Sequence, residues 1–187
     1  MKRLLVASLT LVAALAVLGA AAGQPPDHAK GPPDHAKGKA KGKPSRSATP
    51  VFKVHMKPSQ EVPRIQGLRA DAVGHVTFDL TRDSTGAITA GEVVFYVNYS
   101  FPGSVTITGL HVHVGAKGTN GDVVINSGVA SIPDADGVGN VTTVVPSVAP
   151  ETLQAILDNP RGYYVNLHTS VHDDGAVRAQ LRNPVKR

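Results

Sequence analysis

The chain has 187 residues and no cysteine, which excludes disulfide bonds, thiolate metal ligands and a cysteine nucleophile. The length suits one domain with tails. Its formal net charge is +5, but from Val51 onward 11 Lys and Arg stand against 12 Asp and Glu. A nucleic-acid-binding face needs clustered basic residues, so we expect no nucleic-acid partner for the folded part.

Residues 1–22 have the pattern of a cleavable export signal. Lys2 and Arg3 form a positive start, an apolar run extends from Leu4 to Leu18, and small residues lead up to Ala22. The run is shorter than the roughly 20 residues that a bilayer span needs. We predict cleavage after Ala22, secretion to the periplasm, cell surface or medium, and no transmembrane segment in the mature chain. An uncleaved anchor is the alternative.

Residues 23–50 form a basic spacer rich in proline, glycine and lysine. The unit Pro-Pro-Asp-His-Ala-Lys-Gly occurs twice, at 25–31 and 32–38. With so few large apolar side chains the segment cannot offset the entropy of ordering, so we expect disorder. Its charge suits either a soluble tether or attachment to an anionic surface polymer.

From Val51 to the end of the chain, apolar and polar residues alternate with period two. Around Phe78 and again around Phe95 the alternation spans a strand, and Asp83 to Gly86 between them has turn chemistry, which predicts a hairpin. Further strands are predicted at about 104–114, 122–130, 138–145, 162–169 and 176–182. A helix is predicted to begin at Pro150 and to end before Asn159-Pro160. Seven or eight short strands with one short helix indicate an all-β fold, an antiparallel sandwich over residues 51–187.

Three stretches of this region resemble a known family when taken in order. They are Glu61-Val-Pro63, the segment 109–124 (GLHVHVGAKGTNGDVV), and 162–169 (GYYVNLHT) leading into 175–181 (GAVRAQL). Together they resemble the CHRD domain, named after chordin and also found in secreted microbial proteins. The resemblance implies an immunoglobulin-like β-sandwich, an extracellular location and no defining catalytic activity. It favours a non-enzymatic module that binds an extracellular protein or an anionic surface polymer.

Three histidines suggest a different function, an exported metal-binding protein. His111 and His113 are two residues apart in one predicted strand and so share a face, and His168 lies in a later strand. If these strands are neighbours, three imidazoles can bind a divalent transition metal such as copper or zinc. The segment Gly109 to Gly115 is also similar to the copper-binding strand of copper/zinc superoxide dismutase. No second histidine cluster matches that enzyme, so its chemistry is a remote alternative.

The same histidines also allow a purely structural interpretation. Val105 and Ile107 have the same parity as His111, so a regular strand would point the histidines into the core. Only a bulge at Gly109 would turn them outward. Asn166 and Arg178 are expected either to support the ligands from a second layer or to be structural, and Arg178 can pair with Asp122 or bind a carboxylate. We assign no catalytic residue.

Overall fold

A computed structural model describes residues 48–186 of the chain. The predicted signal peptide with its cleavage after Ala22, and all but the last three residues of the predicted spacer, lie outside this range. The first strand already includes Pro50, the last residue of that spacer. Within residues 48–186 no helix is both long and apolar enough to cross a membrane.

The described part of the chain contains ten strands and one α-helix. In chain order these are β1 (Pro50–Met56), β2 (Asp71–Arg82), β3 (Ile88–Ser100), β4 (Val105–Val114), β5 (Val123–Asn126), β6 (Ile132–Asp134), β7 (Val138–Val145), α1 (Pro150–Asp158), β8 (Tyr163–Thr169), β9 (Val177–Gln180) and β10 (Val185–Lys186). Single 3-10 turns lie at Pro58–Gln60 and Pro160–Gly162.

The strands form two antiparallel sheets. Sheet A has the order β10-β1-β2-β3-β7, and sheet B has the order β5-β4-β8-β9, with β6 also paired to β4. Both sheets contribute to one cluster of buried apolar residues. The predicted all-β antiparallel sandwich with one short helix is therefore confirmed.

The period-two alternation places one side of each sheet in this shared core. On sheet A the rings of Phe52 and Phe78 lie with their centroids 5.0 Å apart, and both are buried. Removing such rings from water is the main source of stability in a domain without disulfides. Helix α1 begins at Pro150. Proline lacks a backbone N–H, but at the first helical position that group would have no acceptor within the helix. It buries Leu153 and Ile156 at helical spacing.

Candidate metal centre

A β-bulge in β4 decides which way the histidines point. Ile107 pairs with Thr169 and Gly109 pairs with His168, so Thr108 is an extra residue with no partner of its own in β8. The inward side of β4 therefore changes parity, from Ile107 before the bulge to Leu110 and Val112 after it, and all three are fully buried. The histidines of β4 consequently lie on the outer face of sheet B, not in the core.

The structure brings all three predicted ligands together on that outer face. In the ladder between β4 and β8, His111 stands opposite Asn166 and His113 opposite Tyr164, while His168 lies opposite Gly109. One ligand nitrogen from each of the three histidines falls within 4.8 Å of the others. Nδ1 of His111 and Nε2 of His168 are 3.2 Å apart. Within residues 48–186 no other group of three His, Cys, Asp or Glu side chains is arranged in this way.

Two backbone carbonyls fix the tautomers of His113 and His168. Nδ1 of His113 lies 3.0 Å from the carbonyl oxygen of Gly121, and Nδ1 of His168 lies 2.7 Å from that of Asp173. A carbonyl oxygen only accepts, so each Nδ1 carries the proton and donates it. In the neutral rings the lone pair is then on Nε2, the nitrogen that faces the cluster. Metal-bound histidines are held in this same way.

The cluster is largely withdrawn from water. His113 and His168 are each 8% exposed, and Nε2 of His113 is buried without a hydrogen-bond partner. Burial, reinforced by the neighbouring His168 and His113, lowers the pKa of His111 to about 4. Burial also lowers the pKa of His113. At neutral pH these two rings hold lone pairs that no proton blocks.

The loop 115–122, which supplies the acceptor for His113, is anchored by Arg178 from β9. Its guanidinium donates to Oδ1 of Asn120 at 3.0 Å and to the carbonyl oxygens of Thr119 at 2.8 Å and Ala116 at 3.3 Å. The expected partner Asp122 is not among these acceptors. Arg178 is 1% exposed, so a cation in this position needs such acceptors. Its role in the structure is to fix the loop.

Arg178 also belongs to a stack that ends at His113, one of the predicted ligands. Its guanidinium carbon lies 3.3 Å from the centroid of the Tyr164 ring. The ring of Tyr164 lies parallel to that of His113, with an interplanar angle of 7° and centroids 4.8 Å apart. Cation–π and offset-stacked pairs of this kind are favourable. Tyr164 therefore restricts the rotation of the His113 ring. The sequence did not predict this role, although Tyr164 lies in the motif 162–169.

Asn166 supports the second loop next to the cluster. Its Nδ2 donates to the carbonyl oxygen of Asp174 at 3.4 Å, one residue beyond the carbonyl that accepts from His168. Asn166 is 3% exposed and lies opposite His111 in the ladder. Asn166 therefore contacts the same loop as His168.

The three motif stretches converge on this face. Glu61 is 6% exposed, and Arg178 is the charge that acts on it most strongly. The carbonyl oxygen of Val62, next along the chain, accepts from Nδ2 of Asn120 at 2.7 Å. The segment 61–63 therefore packs against the loop that Arg178 fixes. Motifs far apart in the chain thus meet at the outer face of sheet B: two of them supply its strands, and the segment 61–63 contacts the loop 115–122.

Fold and site together define an antiparallel β-sandwich domain with a three-histidine cluster on the outer face of one sheet. A comparison with known protein families matches residues 52–181, more than two thirds of the chain, to the CHRD domain. The chain belongs to the CHRD domain family. Comparisons with curated proteins and with solved structures found no match.

Proposed function

We propose that this chain is an exported CHRD-domain protein that binds a transition metal ion through His111, His113 and His168. The observation that carries the proposal is Nε2 of His113, a buried lone pair without a partner that faces two further histidines. A buried acceptor left unpaired costs roughly 1–3 kcal/mol. A cation held by all three nitrogens removes that cost.

The spacing of two of the nitrogens is compatible with a shared metal ion. Two imidazole nitrogens bound to one tetrahedral ion at about 2.0–2.1 Å lie roughly 3.3 Å apart. The separation of 3.2 Å between Nδ1 of His111 and Nε2 of His168 is close to that value. A hydrogen bond between these two nitrogens also explains the distance, but it leaves His113 without a partner. An ion bound by all three nitrogens gives each ring a partner, including His113.

The donor set indicates copper or zinc. Neutral imidazole suits both ions, whereas calcium and magnesium require oxygen ligands. Three protein nitrogens leave a fourth position of a tetrahedral ion for a water or another ligand. Dismutase chemistry is not proposed, because residues 48–186 hold no second cluster for a second metal.

Export is proposed on separate grounds. Residues 1–22 carry the charge and apolar pattern of a signal, and the CHRD resemblance implies an extracellular location. Outside the cell a site built from imidazoles is insensitive to thiol oxidation, and the chain has no cysteine to lose. The basic spacer would then serve as a tether between this domain and its surroundings.

The test compares two matched double variants of the purified, tag-free chain. His111→Ala/His113→Ala removes two ligands, and His55→Ala/His75→Ala removes two histidines from the exposed face of sheet A. Elemental analysis after incubation with copper or zinc and dialysis should show one ion per wild-type and control chain. In His111→Ala/His113→Ala we expect only the small amount of metal that the spacer histidines His28 and His35 retain in all proteins.

Thermal melts provide the second measurement. An ion present at 100 times its Kd stabilises the folded state by about 2.7 kcal/mol, which a melt detects readily. The wild type and the control should lose this shift when a chelator is added. Equal metal content in the two double variants, or a melting temperature indifferent to the chelator in the wild type, would rule out the proposal.

A further inference from the structure

A cleft of about 460 Å³ lies between the loop after β1, the loop 115–122 and the end of β9. Basic residues from three distant parts of the chain meet there: Arg64, Lys117, Arg178 and Arg182. Glu61 is the one acidic residue that lines it. The cleft is thus strongly basic although the chain from Val51 onward has slightly more acidic than basic residues.

Within residues 48–186 the side chains of the three exposed cations of this cleft have no hydrogen-bond or ion-pair partner. Arg64, Lys117 and Arg182 are exposed at the rim, whereas Arg178 forms the floor and is committed to the loop 115–122. Cations gathered in a concave site focus the field and attract anions. The rim residues are therefore free to contact a ligand that carries several negative groups.

Glu61 tunes the charge of the cleft. Its Oε1 is buried and without a hydrogen-bond partner. Burial raises the pKa of Glu61 to about 7, although the nearby Arg178 acts in the opposite direction. A bound anion would disfavour the ionised carboxylate further. Glu61 therefore takes up a proton as an anion enters, which removes the one negative charge of the site.

We propose that this cleft binds a segment of an acidic polysaccharide, with Arg64, Lys117 and Arg182 contacting its carboxylate or sulfate groups. No aromatic side chain lines the cleft, so it lacks the stacking surface on which single-stranded nucleic acids are held. The proposal goes beyond metal binding and does not depend on it, because none of the three histidines lines the cleft.

Calorimetric titration of the purified full chain tests the proposal with defined probes. Hexagalacturonate supplies carboxylates, a sulfated dextran oligomer supplies sulfates, and maltohexaose is the uncharged control. Polyglutamate of equal charge tests whether an acidic peptide binds as well. Because the basic spacer is present in every variant, any binding by the spacer alone appears as a constant background.

The variants separate the cleft from general basicity. Arg64→Ala/Arg182→Ala should weaken binding of hexagalacturonate or sulfated dextran about tenfold or more, since each lost charge-assisted contact weakens binding several-fold. Lys186→Ala, which removes an exposed cation of β10 away from the cleft, should leave the affinity within twofold. Whichever polymer binds more tightly identifies the acidic group.

The pH dependence tests the role of Glu61. Galacturonate carboxylates stay ionised between pH 6 and 8, so tighter binding at pH 6 must come from the protein. We expect a several-fold gain at pH 6 in the wild type and a clearly smaller gain in Glu61→Gln, whose folding is checked by a melt. The gain that remains comes from the spacer histidines His28 and His35, which are present in both proteins. The proposal is overturned by no binding of either acidic polymer, by equal loss in the double variant and Lys186→Ala, by equal affinity for polyglutamate, or by an unchanged pH profile in Glu61→Gln. Metal content is measured alongside and should stay at the wild-type level.

Discussion

Gly109→Ala tests whether the bulge in β4 orients a metal ligand. A Cβ atom at this position would lie 2.8 Å from Cε1 and 3.2 Å from Nε2 of His111, and 3.5 Å from Cδ2 of His168. Ordinary contacts between such atoms need about 3.5–4.0 Å. The ring of His111 must therefore move by roughly 0.7–1.2 Å, because the backbone of residue 109 is held in a paired strand and cannot move away.

This movement is larger than a metal site tolerates. Metal–ligand distances in sound sites stay within about 0.2 Å of their usual values. We expect the affinity for copper or zinc to fall about 10–100-fold, the range seen when a residue that orients a ligand is lost. The ring of His111 is partly exposed and can turn toward solvent, so the metal-free protein should lose only about 1 kcal/mol of its free energy of unfolding.

Competition titration with a chelator of known affinity measures the first effect, and urea unfolding of the metal-free protein measures the second. Gly91→Ala is the matched control. Its Cβ would lie 2.5 Å from Cδ1 of Leu153, which is fully buried. It should therefore cost about 1–3 kcal/mol of stability and leave the metal affinity unchanged. Wild-type affinity in Gly109→Ala would refute the assignment of His111 as a ligand.

Three further predictions concern the surrounding structure. The pKa of Glu61 is about 7 when folded and near 4.5 when unfolded, so the folded state binds more protons between these values and stability falls as pH rises through this window. Glu61→Gln should remove this loss, which is up to about 3 kcal/mol of unfolding free energy between pH 5 and pH 8 in the wild type. Urea unfolding at several pH values measures it, and the same change with pH in both proteins would contradict the prediction. Arg178→Met leaves the loop acceptors unpaired and should cost about 3 kcal/mol, with faster amide exchange across 116–121; protection equal to the wild type would argue against Arg178 as the anchor. Phe78→Ala opens a cavity beside Phe52 and should cost about 3–5 kcal/mol in urea unfolding, and a cost below 1 kcal/mol would mean that the ring is not in the core.

Much of the secondary structure could be predicted because it rests on local patterns. The predicted strand 138–145 has the bounds of β7, and the helix beginning at Pro150 ends at Asp158, directly before Asn159-Pro160. Strand β6 was missed because three residues, one of them Pro133, are too few to establish a period. The two-residue strand β10 was missed for the same reason.

The sequence by itself determined that the chain forms strands with one apolar side, because the alternation of side chains is a property of extended backbone. It also placed His111 and His113 on a common face. It left open whether that face was the core or the surface. The unpaired residue Thr108 in β4 turns the histidines outward, and the bulge it forms depends on the pairing with β8. Only the tertiary structure brought His168 beside them and laid the segment 61–63 and the loop 115–122 over the same sheet. Contacts between segments 50 to 60 residues apart depend on strand order and register, which no local pattern records.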